Sequence, residues 1–163
     1  MKQTFLGIIA IIALVAGCAT TTAEKPTASP ADAEFAAFEA VIEKSFTTLE
    51  PRLAAGNRIA LLPLNAEDKD NGGYAYDTMT VKFTNSGKYD MVERARIDQI
   101  IQEQNFQLSG MVSDETAVSI GKFLGAQVII IGDISGTGNT RRLVFRALDV
   151  ETGKIAGISS ERF

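Results

Sequence analysis

Histidine and tryptophan are missing from this chain of 163 residues, and cysteine occurs once, at Cys18. Without histidine, the commonest general base and the commonest metal ligand are both gone. Ser109, Ser113 and Ser119 therefore have no imidazole to activate them, and Lys122 stands in no Ser-x-x-Lys arrangement. A single cysteine cannot close a disulfide within the chain, so packing alone must hold the fold even in an oxidising compartment. Three tyrosines and no tryptophan make a poor platform for stacking sugars. Basic residues are also short: 16 Lys and Arg stand against 20 Asp and Glu, a net charge of -4. Such a chain offers no broad basic face to a phosphate backbone, and nucleic acid is not expected as a partner.

The apolar residues that are present begin at the amino terminus. After Lys2, every residue from Phe5 to Val15 is apolar or glycine. That run has the length of a signal-peptide core and falls short of the roughly 20 residues a transmembrane helix needs. It ends in Val15-Ala16-Gly17-Cys18, small residues leading into the lone cysteine. The pattern is that of a bacterial lipoprotein signal, with residues 1–17 removed by cleavage between Gly17 and Cys18. Cys18 then becomes an acylated amino terminus. Each buried methylene of the acyl chains, palmitate among them, contributes about 0.8 kcal/mol, so two or three chains anchor the protein firmly. Removal of residues 1–17 takes away one charge, Lys2, and leaves 15 basic against 20 acidic residues. A secretory signal with a chance cysteine remains the plainer alternative.

Residues 18–33 are rich in Thr, Ala, Ser and Pro and read as a lipidated amino terminus with a flexible tether. Fully extended, about 15 residues span about 50 Å. Residues 34–163 read as one domain. Phe35, Phe38, Ile42, Phe46, Leu49 and Leu53 recur at helical steps and predict an amphipathic helix ending near Pro51. Residues 58–64 predict a strand, 65–73 a polar loop, and 74–86 a helix capped by Gly87. A short strand at 89–92 and a helix over 93–105 follow, the latter with Ile97, Ile100 and Ile101 inward. Ser113 opens a further helix that buries Ala117, Ile120 and Leu124 and ends at Gly125. Val128 to Ile131 suit a strand covered on both faces. A glycine-rich turn over 132–139 then leads to two strands, 142–150 and 154–160, joined by a compact hairpin at Gly153. Alternation in the first half and a meander in the second predict an α/β fold: a single domain with a mixed β-sheet packed by α-helices.

No catalytic constellation emerges. The loop from Gly132 to Gly138 follows a strand, as phosphate loops do, but neither a Lys-Ser pair nor a helix follows it. Glu67, Asp68 and Asp70 lack the glycine and closing glutamate of a calcium loop. Glu93 with Glu103, or Asp114 with Glu115, could pair as carboxylates, but caps and surface positions explain them as well. Arg141, Arg142 and Arg146 form a small basic strand. Arg146 is expected to pair with Asp149 or Glu161 across the hairpin, the alternative being a docking face. No cofactor or metal is expected, and the chain does not read as an enzyme.

Several motifs resemble a known family. They are Ser86-Gly87-Lys88-Tyr89, Val92-Glu93-Arg94 and the run Glu103-Gln104-Asn105-Phe106-Gln107-Leu108-Ser109-Gly110. Ile120-Gly121-Lys122, Leu124-Gly125-Ala126-Gln127 and Arg146-Ala147-Leu148-Asp149-Val150-Glu151-Thr152-Gly153 continue the match. Together they resemble the CsgG/LpoB-like envelope lipoproteins, over about residues 58–158. This family includes the curli secretion-channel subunit and the lipoprotein activator of bifunctional penicillin-binding proteins. The resemblance implies a non-enzymatic lipoprotein of the outer membrane, facing the periplasm, which binds another envelope protein and bears on peptidoglycan synthesis. A secretion channel or an accessory envelope assembly lipoprotein stands as the alternative. A channel subunit needs spare strands of about 9–11 alternating residues for a barrel, and the short linkers here supply none. The oligomeric state is not fixed by the sequence.

Overall fold

The computed structural model describes residues 29–106, 108 and 110–163. Cys18 and its signal, Gln107 and Ser109 lie outside them. Helix α1 spans Pro30–Leu49 and begins four residues before position 34. The reason is local: Ser29 and Asp32 form a reciprocal capping box, and Pro30 at the first helical position has no N–H to satisfy. Its inward stripe, Phe38, Val41, Ile42 and Leu49, is buried.

Strand β1 (Arg58–Leu61) is shorter than expected, and the chain then forms a two-residue strand, β2 (Asn65–Ala66). In the polar loop expected over 65–73, residues 65–66 are therefore strand, Glu67 and Asp68 form the bend, and the rest is helix. Helix α2 starts at Lys69 and runs to Asn85 because Asp68 caps it. The Asp68 carboxylate accepts the backbone N–H groups of Asp70 and Asn71 at 2.9 and 3.2 Å. Beyond β3 (Asp90–Met91) come α3 (Arg94–Glu103) and α4 (Asp114–Leu124). Ser113 caps α4, and Gly125 closes it in the left-handed conformation at φ 65°. Both ends match the sequence signals.

Strand β4 runs Val128–Ser135, twice the length expected, so the first half of the glycine-rich stretch is sheet. Gly132 sits in it for want of space: a Cβ there would lie 2.7 Å from Leu64 Cγ and 2.8 Å from Phe145 Cε1. A 3-10 turn at Gly138–Thr140 leads to β5 (Arg142–Asp149) and β6 (Ile155–Arg162).

The six strands form one mixed sheet in the order β3-β1-β4-β5-β6, with β2 also beside β4. Pairings of β1 with β3 and β4 are parallel, and those of β4 with β5 and β5 with β6 are antiparallel. Helices α1 and α2 cover one face, where Phe38, Ile42, Met79 and Phe83 meet Ile59, Ile130 and Phe145. Helices α3 and α4 cover the other, where Ile97, Ile100 and Ile120 meet Ala60, Ile129 and Ile131. The result is a three-layer α/β/α domain, with β1 and β4 buried on both sides.

Candidate functional site

The two helical layers are unequal in reach. On the α3/α4 side the core takes Leu148 from β5 and nothing from β6. The rest of that face of β5 and β6 is open. Pairing sets Arg142 opposite Arg162, Val144 opposite Ser160, and Arg146 opposite Ile158. Directly opposed residues share a face in an antiparallel pair. The open surface therefore carries three arginines around one isoleucine.

Strand β6 is inside-out. Its inward positions hold Gly157 and Ser159, both buried, while Ile155 and Ile158 are each half exposed, at 51% and 50%. Small inward residues let α1 lie close. A Cβ on Gly157 would come within 3.0 Å of Leu49 Cδ2. The buried Ser159 hydroxyl donates to Ser45 Oγ at 3.1 Å. Glu161, on the same side, takes an ion pair from Lys44 at 2.6 Å. The larger apolar residues are left facing water.

Arg146 pairs with neither Asp149 nor Glu161. It reaches to the first turn of α4 and donates to Asp114 at 2.6 Å. The cause is tertiary: β5 passes beneath the amino terminus of α4, and Asp149 is already engaged in its own turn. Its carboxylate accepts the backbone N–H and the hydroxyl of Thr152, both at 2.7 Å. Those two bonds hold the Asp149 carboxyl below its usual range. Arg141 pairs with Glu34 and lies 4.5 Å above the Phe163 ring. Among the described residues, neither Arg142 nor Arg162 has a carboxylate partner.

The other residues singled out from sequence take structural posts. Ser113 caps α4, with its Oγ accepting from Thr116 N at 3.2 Å. The Ser119 hydroxyl donates back to the Glu115 carbonyl at 2.8 Å. Glu115 is held below its ordinary value by hydrogen bonds from its own backbone and from Ser113, as suits the first turn of a helix. Glu93 and Glu103 stand at opposite ends of α3, about 15 Å apart at the helical rise per residue. Asp68 is a cap rather than a cation ligand, and among the described residues no His, Cys, Asp and Glu cluster could hold a metal ion. A cavity of about 530 Å³ opens beside α2, walled by Pro63, Leu64, Lys69, Tyr76 and Arg94. Its described wall carries two cations and no carboxylate.

The domain is a three-layer α/β fold whose sheet leaves an arginine-bearing face open at the β6 edge. The family model for "Curli production assembly/transport component CsgG" matches residues 62–142 of the chain. Among solved structures, the LpoB C-terminal domain from Salmonella enterica superposes with a TM-score of 0.62 at 20% identity, covering 78% of this chain and 96% of that one. The NMR structure of Escherichia coli LpoB gives 0.61 at 18% identity, covering 99% and 85%. Lipoprotein GNA1162 from Neisseria meningitidis gives 0.51 at 15% identity, covering 66% and 79%. No curated protein matches the chain by sequence. The chain thus resembles the CsgG family over residues 62–142 and has the fold of the LpoB C-terminal domain.

The sequence offers a docking face as the alternative for the basic strand of Arg141, Arg142 and Arg146, but does not place β6 in it. One signal could have shown it. In Ile155–Arg162, Gly157 and Ser159 flank Ile158, so two small residues share one face while an isoleucine lies on the other.

Proposed function

We propose that this chain is an outer-membrane lipoprotein, anchored through acylated Cys18 and facing the periplasm, whose domain docks on another envelope protein. The partner we assign is a penicillin-binding protein, whose active conformation the docked domain favours by binding it more tightly than the inactive one. The observation that carries this reading is the match of the whole α/β domain to LpoB, spanning 96% of the C-terminal domain of that protein. The signal segment ending at Cys18 supports the address. Helix α1 begins at Pro30, so residues 19–29 are the chain available between lipid and domain. Fully extended they reach about 40 Å, which requires the synthase to extend toward the outer membrane. The pairing of all described strands into one sheet favours a docking domain over a channel subunit.

Affinity capture tests this with the full lipidated chain, drawn from detergent-solubilised envelope. Recovery of a penicillin-binding protein, with raised transglycosylase or transpeptidase turnover in the purified pair, is the expected outcome. A self-associated ring with no synthase would overturn it in favour of the channel. In fractionation, Cys18→Ser should move the protein from membrane to soluble periplasm. Retention on the membrane would sink the lipid anchor.

A further inference from the structure

Strand β6 closes the sheet at the α1 end of the order, and its far side pairs with no strand among the described residues. An unpaired edge exposes a row of N–H and C=O groups that template another strand, and natural sheets blunt such edges with proline, charge, bulges or short length. The opposite edge is blunted in this way, since β3 has two residues. Strand β6 has eight, contains no proline, and points Ile155 and Ile158 into water. Its one irregularity is the register shift opposite Ala147 and Leu148, near one end.

Beside this edge, Arg142 and Arg162 stand directly opposite each other. Like charges in that position destabilise a sheet. Glu161 cannot relieve them, because it projects to the other face and pairs with Lys44. Asp114 cannot either, because it holds Arg146. In a chain with 20 acidic residues, two adjacent arginines are left without a carboxylate at the rim of an open edge.

We propose that β6 is a strand-addition site that takes an extended, acidic segment of a partner protein. The segment would hydrogen-bond to the free edge of β6, set a carboxylate beside Arg162 and Arg142, and lay apolar side chains over Ile158 and Ile155. A second copy of this chain is the weaker occupant, since it would bring another Arg162 to the same seam and supply no carboxylate on that face. The site rests on the docking reading above but not on the partner being a synthase.

The test uses the full lipidated chain in detergent and a heptapeptide in which threonine alternates with glutamate, valine, valine and glutamate. That order is symmetric, so it fits either strand direction. A tryptophan appended to the peptide reports binding without interference, because the chain has none. The glutamate peptide should bind, and its lysine counterpart should bind about tenfold more weakly. A version with proline for valine, which keeps the charge and removes strand donors, should not bind. Hydrogen exchange should slow in β6. The double variant Arg142→Glu with Arg162→Glu should reverse the preference in favour of the lysine peptide, a result that an unfolded variant could not give. Equal binding of both peptides, protection outside β6, or no binding at millimolar peptide would each overturn the proposal. If the double variant still captures a synthase at the wild-type level, this site fails and the proposed function stands. If no synthase is captured but the peptide preference reverses, the site stands and the synthase reading fails.

Discussion

Gly132 shows what a single residue does here. It lies in the middle of β4, where glycine ordinarily weakens a strand, and it does so because Leu64 and Phe145 occupy the space its side chain would fill. Gly132→Ala should therefore destabilise the domain by about 1–3 kcal/mol through overpacking, measured by urea denaturation. An unchanged midpoint would mean that Leu64 and Phe145 give way freely. Asp149 is a second case. Its carboxyl sits below the ordinary value of 3.8 because Thr152 donates to it twice. A folded-state value below the unfolded one stabilises the fold above the unfolded pKa, and that gain is lost as pH falls through the folded pKa. Asp149→Asn should thus be less stable than wild type at pH 7, with the gap closing on acidification below the carboxylate range. A gap that stays constant with pH would show that the turn, and not the charge, matters.

At the scale of elements, caps explain where the sequence was read well and where it was not. Ser113 and Gly125 bound α4 where their residue types predict. Asp68 does the same for α2, yet the polar run around it reads as loop because Asp70, Asn71, Gly72 and Gly73 are poor helix formers. Gly72 is tolerated because α2 packs close to β2, with a Cβ there only 3.0 Å from Ala66 Cβ. Tertiary contact overrides propensity at this site. Asp68→Ala should cost about 1 kcal/mol through the lost cap, and Asp68→Ser should recover most of it, in the same denaturation assay. Loss of stability by both variants alike would point to a role for the charge itself.

At the scale of the molecule, the core on the α1/α2 side is assembled from both ends of the chain. Leu49 and Ile42 of α1 pack with Ile59 of β1 and Phe145 of β5, and ion pairs run from Glu34, Glu43 and Lys44 of α1, and from Glu50 just after it, to distant partners. Those pairs are largely exposed, so each contributes little. The apolar contacts dominate. The region matched by the family model, residues 62–142, omits α1, β1, β6 and nearly all of β5. Expressed alone, it should fail to give a cooperative thermal transition, whereas residues 29–163 should unfold cooperatively by circular dichroism. A folded 62–142 fragment would contradict this account of the core.

The order of the main helices and strands and the mixed sheet were legible in the sequence, because periodicity and caps are local and depend on neighbours a few residues away. The apolar run that precedes Cys18 is a local pattern of the same kind. Strand order, the pairing of Arg146 with Asp114, and the exposed arginines of β5 and β6 were not. These depend on which strands the helices happen to cover, and that is settled only when segments as far apart as α1 and β6 compete for the same apolar surface. Residue types determined the elements; their packing decided which face of the sheet stays uncovered.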